Sequence, residues 1–320
     1  MESRFMVSRL STQQTNNISY VDKFVLLGLV STPILEKVLF VAFSVIYTMT
    51  IFGNLTVILI IRLDSDLHKP MYFFLANLAF LEIFYTTSTT PNTLKNFLQK
   101  NRTISFVGCF TQMFFFIGLG SAVCVLLSVM AYDRYVAICQ PLRYSAVMIP
   151  SFCIRLTVVS WSCGFFNAFV QTIYTSMLPF CKDRVIHHFF CDIPSLVKLS
   201  CSDTDFNELV SILVRGCVLI GSFILTVISY IFILRAVLRI PTVNGRKKVF
   251  STCGSHLIVV TLFFGTAIIT YMLPGSSSFS DHKRVLSVVY GVLTPLINPL
   301  IYSFRNTEFQ HAITKRTQSR

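Results

Sequence analysis

Charged side chains are scarce in this sequence. Of its 320 residues only 13% are charged, whereas 53% are hydrophobic, and the mean hydropathy is +0.67. A soluble domain usually carries about 25% charged residues. The shortage of charge therefore excludes an ordinary soluble protein and predicts that most of the folded surface faces lipid.

Several other features are missing. The sequence has no internal repeat, although transporters are often built from repeated halves with binding groups at the membrane midplane. It has no Gly-x-Ser-x-Gly motif and no metal-spaced histidine cluster, which argues against a membrane enzyme. The first 25 residues lack an apolar core followed by a small-residue cleavage site, so we expect no cleaved signal peptide. A transporter, a channel and a membrane enzyme are therefore the disfavoured alternatives.

Seven long apolar stretches are present instead. Each has about 20 residues or more, which is the length of a membrane-spanning helix. They cover residues 38–61, 71–92, 107–131, 154–176, 209–234, 249–272 and 285–304. We predict an all-α membrane protein with a seven-transmembrane-helix bundle. The predicted domains are an extracellular segment 1–37, the bundle 38–304 and a short basic cytoplasmic tail 305–320.

The orientation follows from chemistry that is restricted to the outside of the cell. Lys and Arg are divided almost evenly between the two sides, so the positive-inside rule gives no decision. Asn17 and Asn101 begin glycosylation sequons, and both lie on one side. Four cysteines lie on that side too, as an even set suited to an oxidising compartment: Cys109, Cys181, Cys191 and Cys201. We predict an extracellular N-terminus and a cytoplasmic C-terminus.

Several sequence runs together resemble one receptor family. The longest are MAYDRYVAIC at 130–139, LHKPMYFFLANL at 67–78, KVFSTCGSHL at 248–257 and PLINPLIY at 295–302. Gly53-Asn54 and Ser229-Tyr230 add two shorter matches. The chain resembles the odorant receptors, a branch of the rhodopsin-like (class A) G-protein-coupled receptors, and their tetrapod-type (class II) members in particular. The resemblance covers about residues 20–306.

This resemblance implies a function. An odorant receptor binds small, mostly apolar volatile molecules and activates a stimulatory heterotrimeric G protein, which raises cAMP. The implied partners are an odorant, that G protein and membrane lipid, with no cofactor, no nucleic acid and no enzymatic activity. The implied location is the plasma membrane of olfactory cilia. A non-olfactory chemosensory receptor is the open alternative, because the tissue of expression is not written in the sequence.

The resemblance also implies two disulfides, Cys109–Cys191 and Cys181–Cys201. Sequence alone permits three pairings of the four cysteines. The second extracellular loop would then form a pinned lid over a cavity between the helices. The run 188–192 contains histidine, cysteine and aspartate, but a metal site there would need a free Cys191 thiolate. We therefore predict no metal site in the loop.

The triplet Asp133-Arg134-Tyr135 resembles the cytoplasmic switch of this superfamily. Arginine cannot lose its proton, so its charge must be compensated wherever it lies. One interpretation is an ion pair with Asp133 that holds an inactive state and releases Arg134 toward a partner, Tyr230 or Tyr302. The alternative is a simple interfacial charge pair that extends to water.

The seventh apolar stretch contains a second candidate switch element. Pro299 removes a backbone hydrogen bond and bends a helix, and we expect Asn298 to bridge the resulting gap while Tyr302 moves at the cytoplasmic end. Proline kinks are also common in membrane helices without any gating role. His256, at the inner end of the sixth stretch, is interpreted as a conformational latch.

Glu82 lies about 18 Å into the second stretch, at 1.5 Å per residue. A carboxylate at this depth is either protonated or paired. By resemblance Glu82 occupies a cation pocket near Asn54 and Asn298. The second acid of that pocket is replaced here by Val123. A weak sodium pocket and a neutral, hydrogen-bonded Glu82 are both open, and the neutral form is preferred.

The resemblance places the odorant cavity in the outer halves of the third, fifth and sixth helices. The implied lining is Met113, Phe116, Ile117, Gly120, Ser121, Val214, Val218, Phe264, Ala267, Ile268 and Tyr271. Tyr271 or Ser121 would provide the hydrogen bond, as a few polar groups orient ligands in apolar pockets. Ordinary helix packing is the alternative for any one aromatic residue. Phe264 stands where other rhodopsin-like receptors have a tryptophan, so a proline-hinged tryptophan toggle is not expected.

Arg215 is the unusual residue of the fifth stretch. Its outer position would normally hold an uncharged residue. It either faces the cavity and attracts a ligand oxygen, or extends outward to water, or pairs with Glu208 two turns away. The sequence favours the last two alternatives.

Overall fold

A computed structural model describes residues 22–30, 32–180, 184–201, 205–272, 280–305 and 307–318. Six long helices come first along the chain: α1 (Pro33–Leu63), α2 (Pro70–Leu98), α3 (Phe106–Cys139), α4 (Pro150–Ser176), α5 (Asp205–Leu238) and α6 (Val243–Met272). The seventh, α7, consists of Ser280–Val288, a π-helical turn Val289–Leu293 and Thr294–Arg305. A further helix, α8, covers Thr307–Gln318.

Six of these helices contain stretches that are long and apolar enough to cross a membrane. The seventh helix of the bundle, α2, has 29 residues, or about 43 Å at 1.5 Å per residue, but its outer half is rich in threonine. Thr86 and Thr93 each donate to the carbonyl four residues earlier, so these hydroxyls are satisfied within the helix. The predicted seven-helix bundle is confirmed.

Helix α3 is the central helix of the bundle. In the most apolar 18 residues of α3, 67% of the residues are buried, compared with 22% in the corresponding stretches of α1 and α5. Gly164 of α4 lies against the backbone of α3, where an added Cβ would come within 2.6 Å of the Ala122 nitrogen and would also collide with the Gly118 carbonyl oxygen. Small residues permit this close approach, which helices in lipid use in place of hydrophobic burial.

The outer end of the bundle carries a small three-stranded sheet. The strands are β1 (Lys23–Leu26), β2 (Thr103–Ser105) and β3 (Val185–Ile186), in the order β2-β1-β3. Strand β1 is antiparallel to β2 and parallel to β3. Phe24 and Leu26 are buried in a cluster with Cys109. The segment before α1 is therefore partly a strand of this cap, which sequence reasoning did not predict.

The inner end carries α8, where the sequence predicted only a basic tail. Phe309 and Ala312 are buried against the bundle. Glu308 accepts hydrogen bonds from Lys69 and from the Tyr72 hydroxyl. The Lys69 ammonium, together with the Tyr72 hydroxyl, holds the pKa of Glu308 below its usual range. These contacts anchor α8 beside the inner end of α2.

Candidate ligand site and switch

A cavity lies between the outer halves of α3, α5, α6 and α7, with the second extracellular loop beside it. Seven of the predicted lining residues face it: Phe116, Ile117, Gly120, Ser121, Val218, Ala267 and Tyr271. They come from α3, α5 and α6, the three helices that the resemblance implied. The remaining predictions for this site need correction.

Four predicted lining residues lie elsewhere: Met113, Val214, Phe264 and Ile268. Met113 is buried in the outer cluster with Phe24 and Cys109. Phe264 is fully buried and contacts Phe223 and Phe263. Val214 is half-buried, and Ile268 packs beside the main core. These positions depend on helix rotation, since each residue turns the side chain by about 100°.

Nine further residues line the cavity that were not predicted: Tyr85, Cys124, Asn167, Asp192, Ile193, Arg215, Leu219, Phe263 and Tyr290. Most belong to α2, α4, α7 and the loop, which the resemblance did not include. Cys124 could have been found from helical periodicity, because it lies one turn beyond Gly120. The others depend on which helices are neighbours.

Tyr271 is the centre of the polar side of the cavity. Its hydroxyl lies 2.6 Å from the Tyr290 hydroxyl and 3.5 Å from Asp192 Oδ1. The Arg215 guanidinium carbon lies 5.4 Å from the Tyr271 ring centroid, a cation–π contact. Arg215 therefore lines the cavity, which corrects the preference for an outward orientation. The Glu208 side chain lies outside the described residues.

Ser121 is held in place by two side chains of α4. Asn167 donates to the Ser121 hydroxyl oxygen at 2.7 Å, and Gln171 donates to Asn167 at 2.8 Å. Because these bonds use the oxygen as an acceptor, the hydroxyl proton is directed elsewhere. Ser121 thus lines the cavity with a hydroxyl group that can still donate a hydrogen bond.

The second extracellular loop connects α4 to α5. The middle of this loop is attached to the outer end of α3. The disulfide Cys109–Cys191 is present, and the Cys191 amide donates to Gln112 at 3.1 Å. Phe190 then contacts Phe116 of the cavity wall, with ring centroids 4.6 Å apart. The loop is therefore a pinned lid, as the resemblance implied.

His188 is buried in the same loop. Its Nε2 lies 3.3 Å from the Ser287 hydroxyl of α7. Burial, with a smaller contribution from the Arg284 charge, lowers the pKa of His188 to about 3, so the imidazole is neutral at physiological pH. Among the described residues no group of three His, Cys, Asp or Glu side chains is placed to hold a metal ion.

Three predicted modifications remain predictions. Cys201 is disulfide-bonded, and its amide donates to the Pro179 carbonyl, but Cys181 lies outside the described residues. Asn17 lies outside them as well. Asn101 is exposed in the loop between α2 and β2, a position accessible to glycosylation.

At the inner end of α3, Asp133 and Arg134 have different partners. Asp133 is buried and accepts a hydrogen bond from the Tyr144 hydroxyl at 2.9 Å. Arg134 contacts the Met71 sulfur, and no described salt bridge joins the two residues. Consecutive helical side chains point about 100° apart, so the two neighbours reach different partners, and the switch role of the triplet stays a prediction. Tyr135 accepts a hydrogen bond from Gln140 at 3.1 Å.

Tyr144 remains a hydrogen-bond donor to Asp133. Burial and the nearby Asp133 carboxylate raise the pKa of the Tyr144 hydroxyl. The phenol is therefore protonated at physiological pH. The short helix Tyr144–Val147 is thereby tied to α3.

His256 connects three helices at the inner end. Its Nε2 lies 3.1 Å from the Leu127 carbonyl of α3, and its Nδ1 lies 2.8 Å from the Tyr230 hydroxyl of α5. A carbonyl only accepts, so Nε2 carries the proton and Nδ1 accepts from Tyr230. One neutral imidazole thus satisfies both bonds. The Tyr302 side chain lies outside the described residues.

At the kink near Pro299, a side chain of α1 supplies the hydrogen bond that the α7 backbone has lost. The carbonyl that loses its partner is that of Pro295, four residues earlier, and Asn54 donates to it at 3.1 Å. Asn298 donates instead to Glu82, which corrects the expected bridging role of Asn298. A Cβ on Gly53 would lie 3.2 Å from the Pro299 ring, so this glycine lets α1 approach the kink.

The Glu82 carboxyl group has one described hydrogen-bond partner, Asn298. Glu82 is 2% exposed, and Val123 nearby on α3 is buried as well. The site therefore offers a single carboxyl group beside a neutral amide. The sodium pocket and the neutral carboxyl both stay predictions.

A bundle of seven membrane-length helices, with a cavity at one end and the half-buried Arg134 and buried His256 at the other, is the architecture of a seven-helix membrane receptor. A family model described as olfactory receptor matches residues 43–319. The human olfactory receptor 5F1 is 46% identical over 95% of this chain and 98% of its own length. The human olfactory receptor 8I2 is 47% identical over 94% and 96%, and the Mus musculus olfactory receptor 5M5 is 45% identical over 93% and 94%.

The chain therefore belongs to the olfactory receptor family. It is a multi-pass membrane protein and a rhodopsin-like G-protein-coupled receptor, not an enzyme. An odorant and a G protein are its implied partners.

Proposed function

We propose that this receptor binds small, mostly apolar volatile molecules in the outer cavity and activates a stimulatory G protein, which raises cAMP. It would act in the plasma membrane of olfactory cilia. The observation that carries the proposal is the cavity beside α6: Phe263, Ala267 and Tyr271 all line it. An apolar wall with a few polar groups is typical of small-molecule sites.

Helix α6 connects the cavity to the inner end. It runs without a proline over the 30 residues of Val243–Met272, about 45 Å at 1.5 Å per residue. Displacement of the outer end by a ligand would therefore be transmitted along one continuous helix. The ligand would shift a pre-existing equilibrium between inactive and active arrangements.

The inner contacts fit the inactive arrangement. His256 ties α6 to α3 and α5 through Leu127 and Tyr230. Movement of α6 would break both bonds and open a crevice beside Arg134, which is not held there by Asp133. The basic segment from Arg239 to Lys248, which includes the first turns of α6, and the described part of α8 would border this crevice and contact anionic lipid and the G protein.

The test is cAMP in cells that express the chain, measured against a broad odorant panel. Arg134→Ala should abolish the odorant-dependent rise in cAMP, because the substitution removes the guanidinium charge from the crevice. Arg155→Ala, an exposed arginine near the start of α4, is the matched control and should respond like the wild type.

Surface labelling must show equal display of all three forms. Silence of a well-displayed wild type across the panel would contradict stimulatory coupling. An Arg134→Ala variant that responds normally would contradict the proposed role of Arg134.

A further inference from the structure

The polar side of the cavity contains one charge of each sign. Arg215 from α5 and Asp192 from the loop both line the cavity. Both also contact Tyr271, at 5.4 Å from its ring centroid and 3.5 Å from its hydroxyl, respectively. Tyr290 completes the group through its 2.6 Å contact with the Tyr271 hydroxyl. These four side chains are called the polar pole.

Two members of the polar pole are buried in the protein core, and Arg215 and Tyr271 are half-buried. Asp192 is only 5% exposed and Tyr290 only 2%. The Asp192 carboxylate also accepts from the Ile193 amide at 3.0 Å. Arg215 Nε donates to the Ser211 carbonyl at 3.1 Å, and the cation–π contact fixes its plane. A ligand therefore meets an already oriented guanidinium, which lowers the entropic cost of binding.

Most of the remaining wall of the cavity is hydrocarbon, and its polar groups are those of Tyr85, Ser121 and Asn167. It consists mainly of Phe116, Ile117, Val218, Leu219, Phe263 and Ala267. Hydrocarbon of the ligand gains most by covering this wall. A polar atom of the ligand would be costly there, because burial without a hydrogen bond is unfavourable. Such an atom is therefore best placed at a polar group of the lining, and among those groups only the polar pole offers a charged donor, Arg215.

We propose that the cavity selects neutral molecules with a hydrogen-bond-accepting oxygen, such as ketones, aldehydes and esters, over carboxylic acids and amines of the same carbon skeleton. This inference rests on the proposed function, namely that the outer cavity is the odorant site. Arg215 only donates hydrogen bonds, so its ligand partner must accept.

The charges already present in the cavity disfavour ligands that are themselves ionised. Arg215 and Asp192 cancel each other's charge within the cavity. A carboxylate would add a second negative charge beside Asp192, and an ammonium would add a second positive charge beside Arg215. A buried charge without its own counter-ion is strongly unfavourable. A carbonyl oxygen gains the hydrogen bond without adding a charge.

The experiment measures ligand-induced shifts of the thermal unfolding midpoint on the purified full-length protein in detergent. The probes are matched sets of ketone, carboxylic acid, primary amine and alkane on the same short straight-chain and cyclic skeletons. The ketone should stabilise the wild type most. Arg215→Met should weaken ketone binding about tenfold, as expected for loss of a hydrogen bond to a charged group, and leave alkane binding unchanged.

Asp192→Asn is the complementary variant. Asparagine still caps the short helix Ile193–Val197, so the loop should fold, while one negative charge is removed. Carboxylic acids should then bind about tenfold more tightly than to the wild type. Amines should gain nothing.

Three results would overturn the inference: a wild type that prefers the acid, a ketone no better than its alkane, or an unchanged ketone-to-alkane ratio in Arg215→Met. Unchanged acid binding in Asp192→Asn would overturn the argument from charge balance. The thermal shift needs no G protein, so failure of stimulatory coupling does not affect it. A cAMP response without any ketone preference would reject this inference and leave the proposed function standing.

Discussion

His187 and His188 are neighbours with opposite environments. His187 is exposed, whereas His188 is 5% exposed and lies between Phe189, Phe190 and Ser287. The sequence shows two histidines before two phenylalanines and gives no reason to separate them. At the scale of single residues, the function of a side chain in this receptor is set by burial and by the partner it contacts.

The buried histidine predicts acid sensitivity of the lid. The pKa of His188 is lowered to about 3 in the folded protein, compared with about 6.5 when unfolded. Its contribution to stability is therefore complete above about pH 6.5 and is lost as the pH falls toward 3, by about 1.4 kcal/mol per pH unit. His188→Gln should reduce the fall of the unfolding midpoint between pH about 7 and about 5.

His187→Gln is the matched control for that measurement. Because His187 is exposed, its loss should leave the pH dependence of the unfolding midpoint as in the wild type. Equal slopes in the wild type and in His188→Gln would contradict the prediction.

Asn54 gives a second prediction for a single residue. Asn54→Leu would leave the Pro295 carbonyl buried without its donor, at a cost of about 1–3 kcal/mol. The thermal unfolding midpoint in detergent should fall accordingly. Thr56→Val is the control, since the exposed Thr56 hydroxyl bonds only to the Phe52 carbonyl of its own helix. A fall of equal size in both variants would show that the contact between α1 and α7 is not the cause.

At the scale of elements, the helices were predictable and their contacts were not. Apolar stretches of about 20 residues predict membrane helices because the bilayer leaves backbone groups no other partner. The predicted spans fall within α1 to α7. Strand β1 and helix α8 were missed, since each is short and depends on contacts that are distant in sequence: β1 with β2 and β3, and α8 with Lys69.

The approach of α3 and α4 can be tested at a glycine. Gly164→Ala would place a Cβ 2.6 Å from the Ala122 nitrogen, so one helix must shift. We expect a lower thermal unfolding midpoint and reduced surface display. Gly221→Ala is the matched control, because nothing lies within 4 Å of a Cβ added there and alanine favours helix. If Gly164→Ala is as stable as Gly221→Ala, the two helices are not in backbone contact.

At the scale of the whole molecule, the candidate ligand site and the proposed switch lie at opposite ends of one bundle. Helix α6 contributes Tyr271 to the cavity and His256 to the inner end. Helix α3 contributes Phe116 and Arg134 in the same way. Coupling between the ends therefore requires no more than movement of these packed helices relative to each other.

The His256 contacts predict the direction of an activity change. His256→Leu removes both hydrogen bonds that hold α6 to α3 and α5, so the active arrangement should gain population, by up to about tenfold for 1.4 kcal/mol. Basal cAMP at equal surface display should rise. His311→Leu, at an exposed position of α8, should leave basal cAMP unchanged. A fall of basal cAMP in His256→Leu would show that these bonds belong to the active arrangement instead.

The sequence by itself determined the membrane class, the number of membrane-spanning helices and the family. Each of these depends on local composition or on short motifs, such as the scarcity of charge and the run 130–139. Seven of the sixteen residues that line the cavity were accessible by resemblance, which implied α3, α5 and α6.

Only the tertiary structure decided which side chains meet. Arg215 faces Tyr271 rather than water, Asn54 rather than Asn298 bridges the kink, and Asp133 bonds to Tyr144 rather than to Arg134. Helix rotation and neighbouring elements set these contacts. Both arise from packing between segments far apart in the chain, where one residue's shift in register turns a side chain by about 100°.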